Sequence, residues 1–364
     1  MKKFLVTLLV LIIATSAMFA SFSYDLDLIS FDPLHKEYLA DPHRPAMGIE
    51  YASVFEGGVP TFLHQHDKLF DFSKDLDSTF LKFNVGETIS LMQNTFSFDH
   101  WLSPISFDIS AQLLYKILLE GSISMELGFD GVYFYGTTMN IADTVSLRFG
   151  YHHYCSHIGD KIYDAMSGNN REHLWVMQKY IRADTIALGL SVQPLDFLRV
   201  YGEVNMPTKD SISSFRPNMF APTWREPNNA KAPHNFPSSY KALIVSTGFE
   251  LEYPVFKKLG NTSFGYDLHL YEEGKIVYDN TYGGPSGGYE SADPNYYYDE
   301  DRPWRAEHTI VIGQDISPMA TLEVKYHNGR FLINNFFNQE STYLTFGVKL
   351  RLDGKVDLVD TDNF

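Results

Sequence analysis

The sequence predicts an all-β fold: a transmembrane antiparallel β-barrel of about twelve strands with long extracellular loops. Three observations predict it. The chain opens with an export signal. It has no second apolar run long enough for a membrane helix. Its hydrophobic residues alternate with polar ones in segments whose connectors are short and long by turns.

The export signal is Met1-Lys2-Lys3 followed by a short apolar run, residues 4–13, and then small residues. Cleavage after Ala17, with Thr15 and Ala17 at the small positions, or after Ala20 fits a secretory signal peptide over residues 1–20. No Cys lies near that point, which argues against a lipid-anchored chain. Residues 21–45 read as a periplasmic lead-in broken by prolines, in Phe31-Asp-Pro-Leu34 and Leu39-Ala-Asp-Pro-His-Arg-Pro45. The barrel is expected over residues 46–352 and a C-terminal tail over 353–364.

The alternating segments run roughly over 46–55, 79–92, 105–117, 122–135, 144–154, 183–193, 197–206, 240–253, 262–271, 304–315, 320–327 and 342–352. In one, Ile123, Met125, Leu127 and Phe129 alternate with Ser124, Glu126, Gly128 and Asp130. In the last, Leu344, Phe346, Val348 and Leu350 oppose Thr345, Gly347, Lys349 and Arg351. This final stretch resembles the C-terminal assembly signal of outer-membrane barrels, which makes the barrel-assembly machinery an expected partner. Connectors 136–143, 194–196, 254–261 and 316–319 are short and suit the periplasmic side. Connectors 56–78, 155–182, 207–239, 272–303 and 328–341 are longer, and rich in Gly, Pro, Asn and aromatics. Short and long connectors alternate for most of the chain, with the outer link before Ser122 short as the exception, and a soluble sandwich has no reason to alternate in this way.

Composition agrees. Aromatics make up 15% of residues, with 23 Tyr and 28 Phe, as expected where rings line membrane interfaces. A net charge of −16 argues against a nucleic-acid partner, leaving outer-membrane lipid and an extracellular partner as the expected contacts. The single Cys excludes a disulfide framework within the chain.

Strand parity sends Glu50, Asp108, Glu126, Asp130, Glu203, Glu250, Glu252, Asp267, Glu307 and Glu323 into the lumen. Lys82, Arg148, Arg199, Arg305, Lys325, Lys349 and Arg351 face them. Interleaved charges pair and fill a barrel of this size, which speaks against a wide pore.

The stretch Leu147-Arg-Phe-Gly-Tyr-His152-His153-Tyr-Cys155-Ser156-His157-Ile-Gly-Asp160 starts as an alternating strand and ends in a polar cluster. With the lead-in Leu39-Ala-Asp-Pro-His-Arg-Pro45, it resembles a bacterial outer-membrane-type family known as domain of unknown function 1207. The family's "L-x-A-D-P-R-x-P" and "H-x-S-S-H-L-G-D" motifs are similar to these two places. Residues 187–194 and 198–202 resemble the family's next hairpin. Cys155 stands where that family has Ser, and Lys161 where an acid is usual. The resemblance implies an envelope barrel and no established activity.

Three readings compete at this cluster. A hydrolase would use Ser156 as nucleophile, His153 or His157 as base and Asp160 as orienter. That arrangement resembles outer-membrane phospholipases and lipid A deacylases, which place His and Ser two apart on a strand. Here the residue two before Ser156 is Tyr154, and the nearest match is His153-x-Cys155. His152 shares parity with Ser156 but stands about 13 Å away along a strand. A metal site from His152, His153, His157, Asp160 and His173 has no recognised ligand spacing, so neither a metal nor a cofactor is expected. The third reading is a rim network of Arg148, His152, Ser156 and Asp160 that holds the strand end. Ligand contacts, if the lumen has any, fall to Arg148, His152, Arg199 and Glu203. The residues alone assign no enzymatic activity. The leading expectation is a structural or surface-interaction role with a restricted ligand or solute site. The alternatives are a lipid-modifying hydrolase and a narrow channel.

Overall fold

The computed structural model describes residues 22–57, 79–120, 126–159, 180–208, 243–256, 259–272, 275–278, 296–299, 304–333 and 340–351. The expected signal peptide and C-terminal tail, Asp160, Lys161 and His173 lie outside these residues. Strand β1 spans Phe22–Ser30, β2 Met47–Glu56, β3 Thr79–Phe98, β4 Ile105–Glu120 and β5 Glu126–Ile141. Then come β6 Val145–Ile158, β7 Tyr180–Leu195, β8 Leu198–Pro207, β9 Ile244–Phe256 and β10 Gly260–Glu272. After a short separate hairpin, β11 Lys275–Tyr278 and β12 Tyr296–Asp299, the chain forms β13 Trp304–Ser317, β14 Ala320–Arg330 and β15 Glu340–Leu350.

Twelve of these strands close an antiparallel barrel: β2 to β10 with β13, β14 and β15, sealed where β15 pairs with β2. Closure leaves no sheet edge among them, which is what a strand-built membrane span requires. Every segment expected from alternation corresponds to one of these strands. Outward positions are apolar, for example Val85, Ile109, Leu113, Tyr135, Leu147, Phe149, Leu188, Leu190, Ile312, Leu322 and Phe346. A closed barrel with such a belt belongs in the outer membrane. One rim carries short connectors, such as the turn at residues 142–143, where Ala142 and Asp143 both have positive φ (52° and 51°) and Thr144 N donates to Ile141 O at 3.1 Å. The other rim carries the long ones.

Strand β3 is longer than its expected segment. A register shift between Ser90 and Met92 moves its inward parity from even to odd positions, and Phe96 packs outward on Phe107. Beyond the shift, β3 accepts β1 along residues 90–98, on the same edge that β2 occupies along 79–84.

The lead-in was expected in the periplasm; it is instead part of the barrel. After β1 the chain passes inside, and His35, Tyr38, Ala40, His43 and Arg44 are buried. The physical reason is complementarity. Its irregular backbone exposes amides and carbonyls that only a polar lumen can satisfy. Leu34 N donates to Asp108 (3.2 Å), Leu39 N to Glu250, and Arg199 donates to the carbonyls of Lys36 (2.8 Å) and Glu37 (3.0 Å). Of the inward charges expected from parity, Glu126 and Glu252 sit near strand ends and are exposed.

Candidate functional site

Strand β6 presents its polar cluster to two different environments, because successive side chains point to opposite faces. His152 and Ser156 face the lumen; His153, Cys155 and His157 share parity with Leu147 and Phe149 on the lipid side. Ser156 Oγ donates to Asp130 Oδ1 at 2.5 Å, and Asp130 is paired with Lys116 at 3.0 Å. Its expected bases, His153 and His157, are therefore across the wall from it. His157 stacks on Phe129 on the lipid side, with ring centroids 4.5 Å apart. A Ser156 nucleophile served by His153 or His157 is excluded by this geometry.

The lipid side holds a different constellation. His153 is opposite Asp184 in the β6–β7 register, and Nδ1 lies 2.5 Å from Asp184 Oδ1. A carboxylate accepts, so Nδ1 carries a proton. Cys155 follows two residues on, on the same face, roughly 7 Å along the strand. Gly131 opposite it makes room for the thiol: a Cβ there would stand 2.8 Å from Cys155 Sγ. Tyr133 completes the wall, with its ring 5.6 Å from that of His153.

A carboxylate on the lipid face of a barrel is costly unless paired. Asp184 is 5% exposed, shielded by its neighbours, and its parity is that of Leu188 and Leu190. His308, on the same outer face of the barrel, meets a neutral partner, the Tyr266 hydroxyl at 2.9 Å. The partner of His153 is instead a carboxylate.

In the lumen, the four residues expected to bind a ligand converge on the chain's own lead-in. Arg148 reaches His35 (3.0 Å), Gln112 (2.6 Å), Glu203 (3.6 Å) and Glu37 (4.0 Å), with its guanidinium 3.7 Å from the Phe134 ring. His152 joins through Asn205 (3.3 Å), which donates to Glu203 at 3.0 Å. Arg199 pairs with Glu250 at 2.9 Å, beside the stacked rings of Tyr38 and Tyr201. Further along, Arg44 donates twice to Glu323 (2.9 and 2.7 Å), and Lys116 lies 3.2 Å from His43 Nδ1. Near the long-connector rim, Phe331 packs edge-on against Phe80, and Leu332 and Ile333 are buried beside it. Among the described residues no cluster of three metal-ligating side chains forms.

Sequence reasoning missed Asp184, although its parity with Leu188 and Leu190 marks it as a lipid-facing acid. It also missed the lead-in residues His43 and Arg44 as lumen contacts.

No family model matches the chain, and no curated protein matches its sequence. Solved structures similar in fold are outer-membrane barrels. The outer membrane phospholipase of Salmonella typhi, a dimer with bound calcium, is 10% identical with a TM-score of 0.45, covering 84% of this chain and 90% of that one. The Escherichia coli outer membrane phospholipase A is 9% identical with a TM-score of 0.46, covering 87% and 98%. The NanC porin is 10% identical with a TM-score of 0.38, covering 84% and 100%.

Proposed function

We propose that this barrel is a lipid-modifying acyl hydrolase whose site lies on its lipid-facing wall, with Cys155 as nucleophile, His153 as base and Asp184 as orienter. The observation that carries the reading is the 2.5 Å His153–Asp184 hydrogen bond in register beside Cys155 on the membrane side. Activated thiols need a base held in one tautomer by a third group, and the reading asks His153 to serve the Cys155 thiol two residues along the same face. His153 follows Val145 by eight residues. At ~3.3 Å per residue and a strand tilt of ~40°, that sets it roughly 20 Å above the short-connector rim of a ~25 Å apolar band. With the long connectors outside the cell, this is the depth of the ester groups of the outer leaflet.

The chemistry follows from the residues. His153 Nε2 takes the thiol proton as Sγ attacks a lipid ester carbonyl, and returns it to the departing alcohol. Water then cleaves the thioester, again with His153 as base, releasing the fatty acid and restoring the thiol.

The test uses the full chain reconstituted in vesicles of ester-linked phospholipid. Wild type releases fatty acid, and Cys155→Ala and His153→Ala lower the rate at least ~10³-fold, while Asp184→Asn lowers it ~10- to 10³-fold. Equal lipid profiles for wild type and Cys155→Ala would sink the proposal.

A further inference from the structure

Strand β1 lies last in the order of the large sheet and pairs with β3 alone. Strand β3 has 20 residues where β15 has 11. At ~3.3 Å per residue and a tilt of ~40°, β3 rises roughly 50 Å, about twice the ~25 Å apolar band. Its residues 79–84 pair with β2 toward the long-connector rim, so the excess falls at the other end, where residues 90–98 carry β1. The lower ends of β3 and β4, with β1 beside them, therefore stand beyond the membrane on the short-connector side.

The two faces of β1 differ. Phe22, Tyr24, Leu26 and Leu28 are all exposed, and the first two pack on Phe96, with ring centroids 6.4 and 5.2 Å apart. Asp25 and Asp27 lie on the opposite face, also exposed, and their cross-strand neighbours Thr95 and Gln93 are neutral. The backbone alternates as well. Phe98 N donates to Ser103 Oγ at 2.9 Å, away from β1, so the even positions of β3 near its end bond toward β4 and the odd ones toward β1. Odd positions of β3 face odd positions of β1, which leaves Tyr24, Leu26 and Leu28 with N–H and C=O turned to the open edge. Leu26 N accordingly donates to the Asp25 carboxylate at 3.1 Å.

We infer that this edge docks an extended strand of a periplasmic protein, antiparallel to β1, in which basic and apolar residues alternate. An open edge is a template for a further strand, and antiparallel pairing matches every other pair in the sheet. Apolar residues of the partner extend the row of Tyr24, Leu26 and Leu28. When a partner carbonyl takes the Leu26 amide, the Asp25 carboxylate loses its hydrogen bond, and a cation opposite Asp25 and Asp27 compensates it. A second copy of this chain is a poor occupant. Two barrels in one membrane point the same way, which forbids antiparallel pairing of their β1 strands. The surface is separate from the lipid-facing constellation on β6.

Full-length protein in detergent micelles and a fluorescent peptide alternating Lys with Val test the inference by anisotropy. The peptide should bind at least ~10-fold more tightly than one alternating Glu with Val. In the antiparallel register, Val shares a face with Leu26 and exchanges the backbone bonds, whereas the Lys amides point away. N-methylation of the Val amides should therefore weaken binding at least ~10-fold, and N-methylation of the Lys amides should not. Asp25→Asn with Asp27→Asn should weaken it roughly 3-fold or more. Leu26→Pro removes the edge donor and no bond to β3, and should weaken it as Val methylation does. Equal affinities for the two methylated peptides would overturn the inference, and need no variant that folds. Self-association through β1, or peptide binding that appears only once residues 353–364 are removed, would give the edge to a second copy or to the chain's own tail and overturn it too.

Discussion

Ser156 and Cys155 are adjacent in the chain and lie on opposite sides of the barrel wall, one against Asp130 and the other beside Gly131. That contrast makes a sharp residue-scale prediction. Ser156→Ala removes a hydrogen bond to a buried carboxylate and should cost about 1–3 kcal/mol of stability, with lipid hydrolysis unchanged. Denaturant unfolding and fatty-acid release measure the two effects separately. Arg44 offers a second test. Its paired hydrogen bonds to Glu323 are buried, so Arg44→Met leaves an unpaired carboxylate and should cost about 3–5 kcal/mol. Arg44→Met with Glu323→Leu should recover most of that loss, because the remaining groups are apolar. The same denaturation experiment reads both variants.

At the scale of elements, the strands were legible and the lead-in was not. Alternation marks a strand wherever one face meets lipid and the other meets polar groups, and Leu147, Phe149 and Tyr151 against Arg148 and His152 do so plainly. Strand ends were less readable. The register shift near Leu91 changes parity inside β3, so residues 93–98 did not continue the pattern of 79–90. The lead-in has the composition of a solvent-exposed loop, with three prolines between Asp32 and Pro45. Nothing local distinguishes a loop solvated by water from one solvated by Asp108, Arg199 and Glu250. The proposed site was half visible for a related reason. His153 and Cys155 share parity within one strand, but Asp184 reaches them only through the β6–β7 register, which the intervening connector does not reveal. The turn at Ala142–Asp143 carries its own prediction. An Ala held at φ 52° is strained, so Ala142→Gly should stabilise the β5–β6 hairpin by about 0.5–1 kcal/mol. An unchanged or lower unfolding midpoint would contradict it.

For the whole molecule, the lead-in decides what the barrel can pass. A chain segment occupies the interior of this twelve-stranded barrel among its inward side chains. Arg148, Arg199 and Glu250 could have lined an aqueous path; their partners include instead His35, Glu37 and the backbone of Lys36 to Leu39. The segment is anchored at both ends, by β1 on β3 and by β2 between β3 and β15. Wild-type protein in planar bilayers should therefore show no steady conductance. Replacing residues 35–44 with a Gly-Ser segment of equal length removes Tyr38, His43 and Arg44 from the lumen while leaving the closure of the barrel to β2 and β15. The altered chain should conduct, because the Tyr38 ring stacked on Tyr201 and the Arg44–Glu323 and His43–Lys116 contacts that now fill the lumen are gone. Steady currents through the wild-type chain, equal to those of the replacement, would show that the lead-in does not seal the barrel.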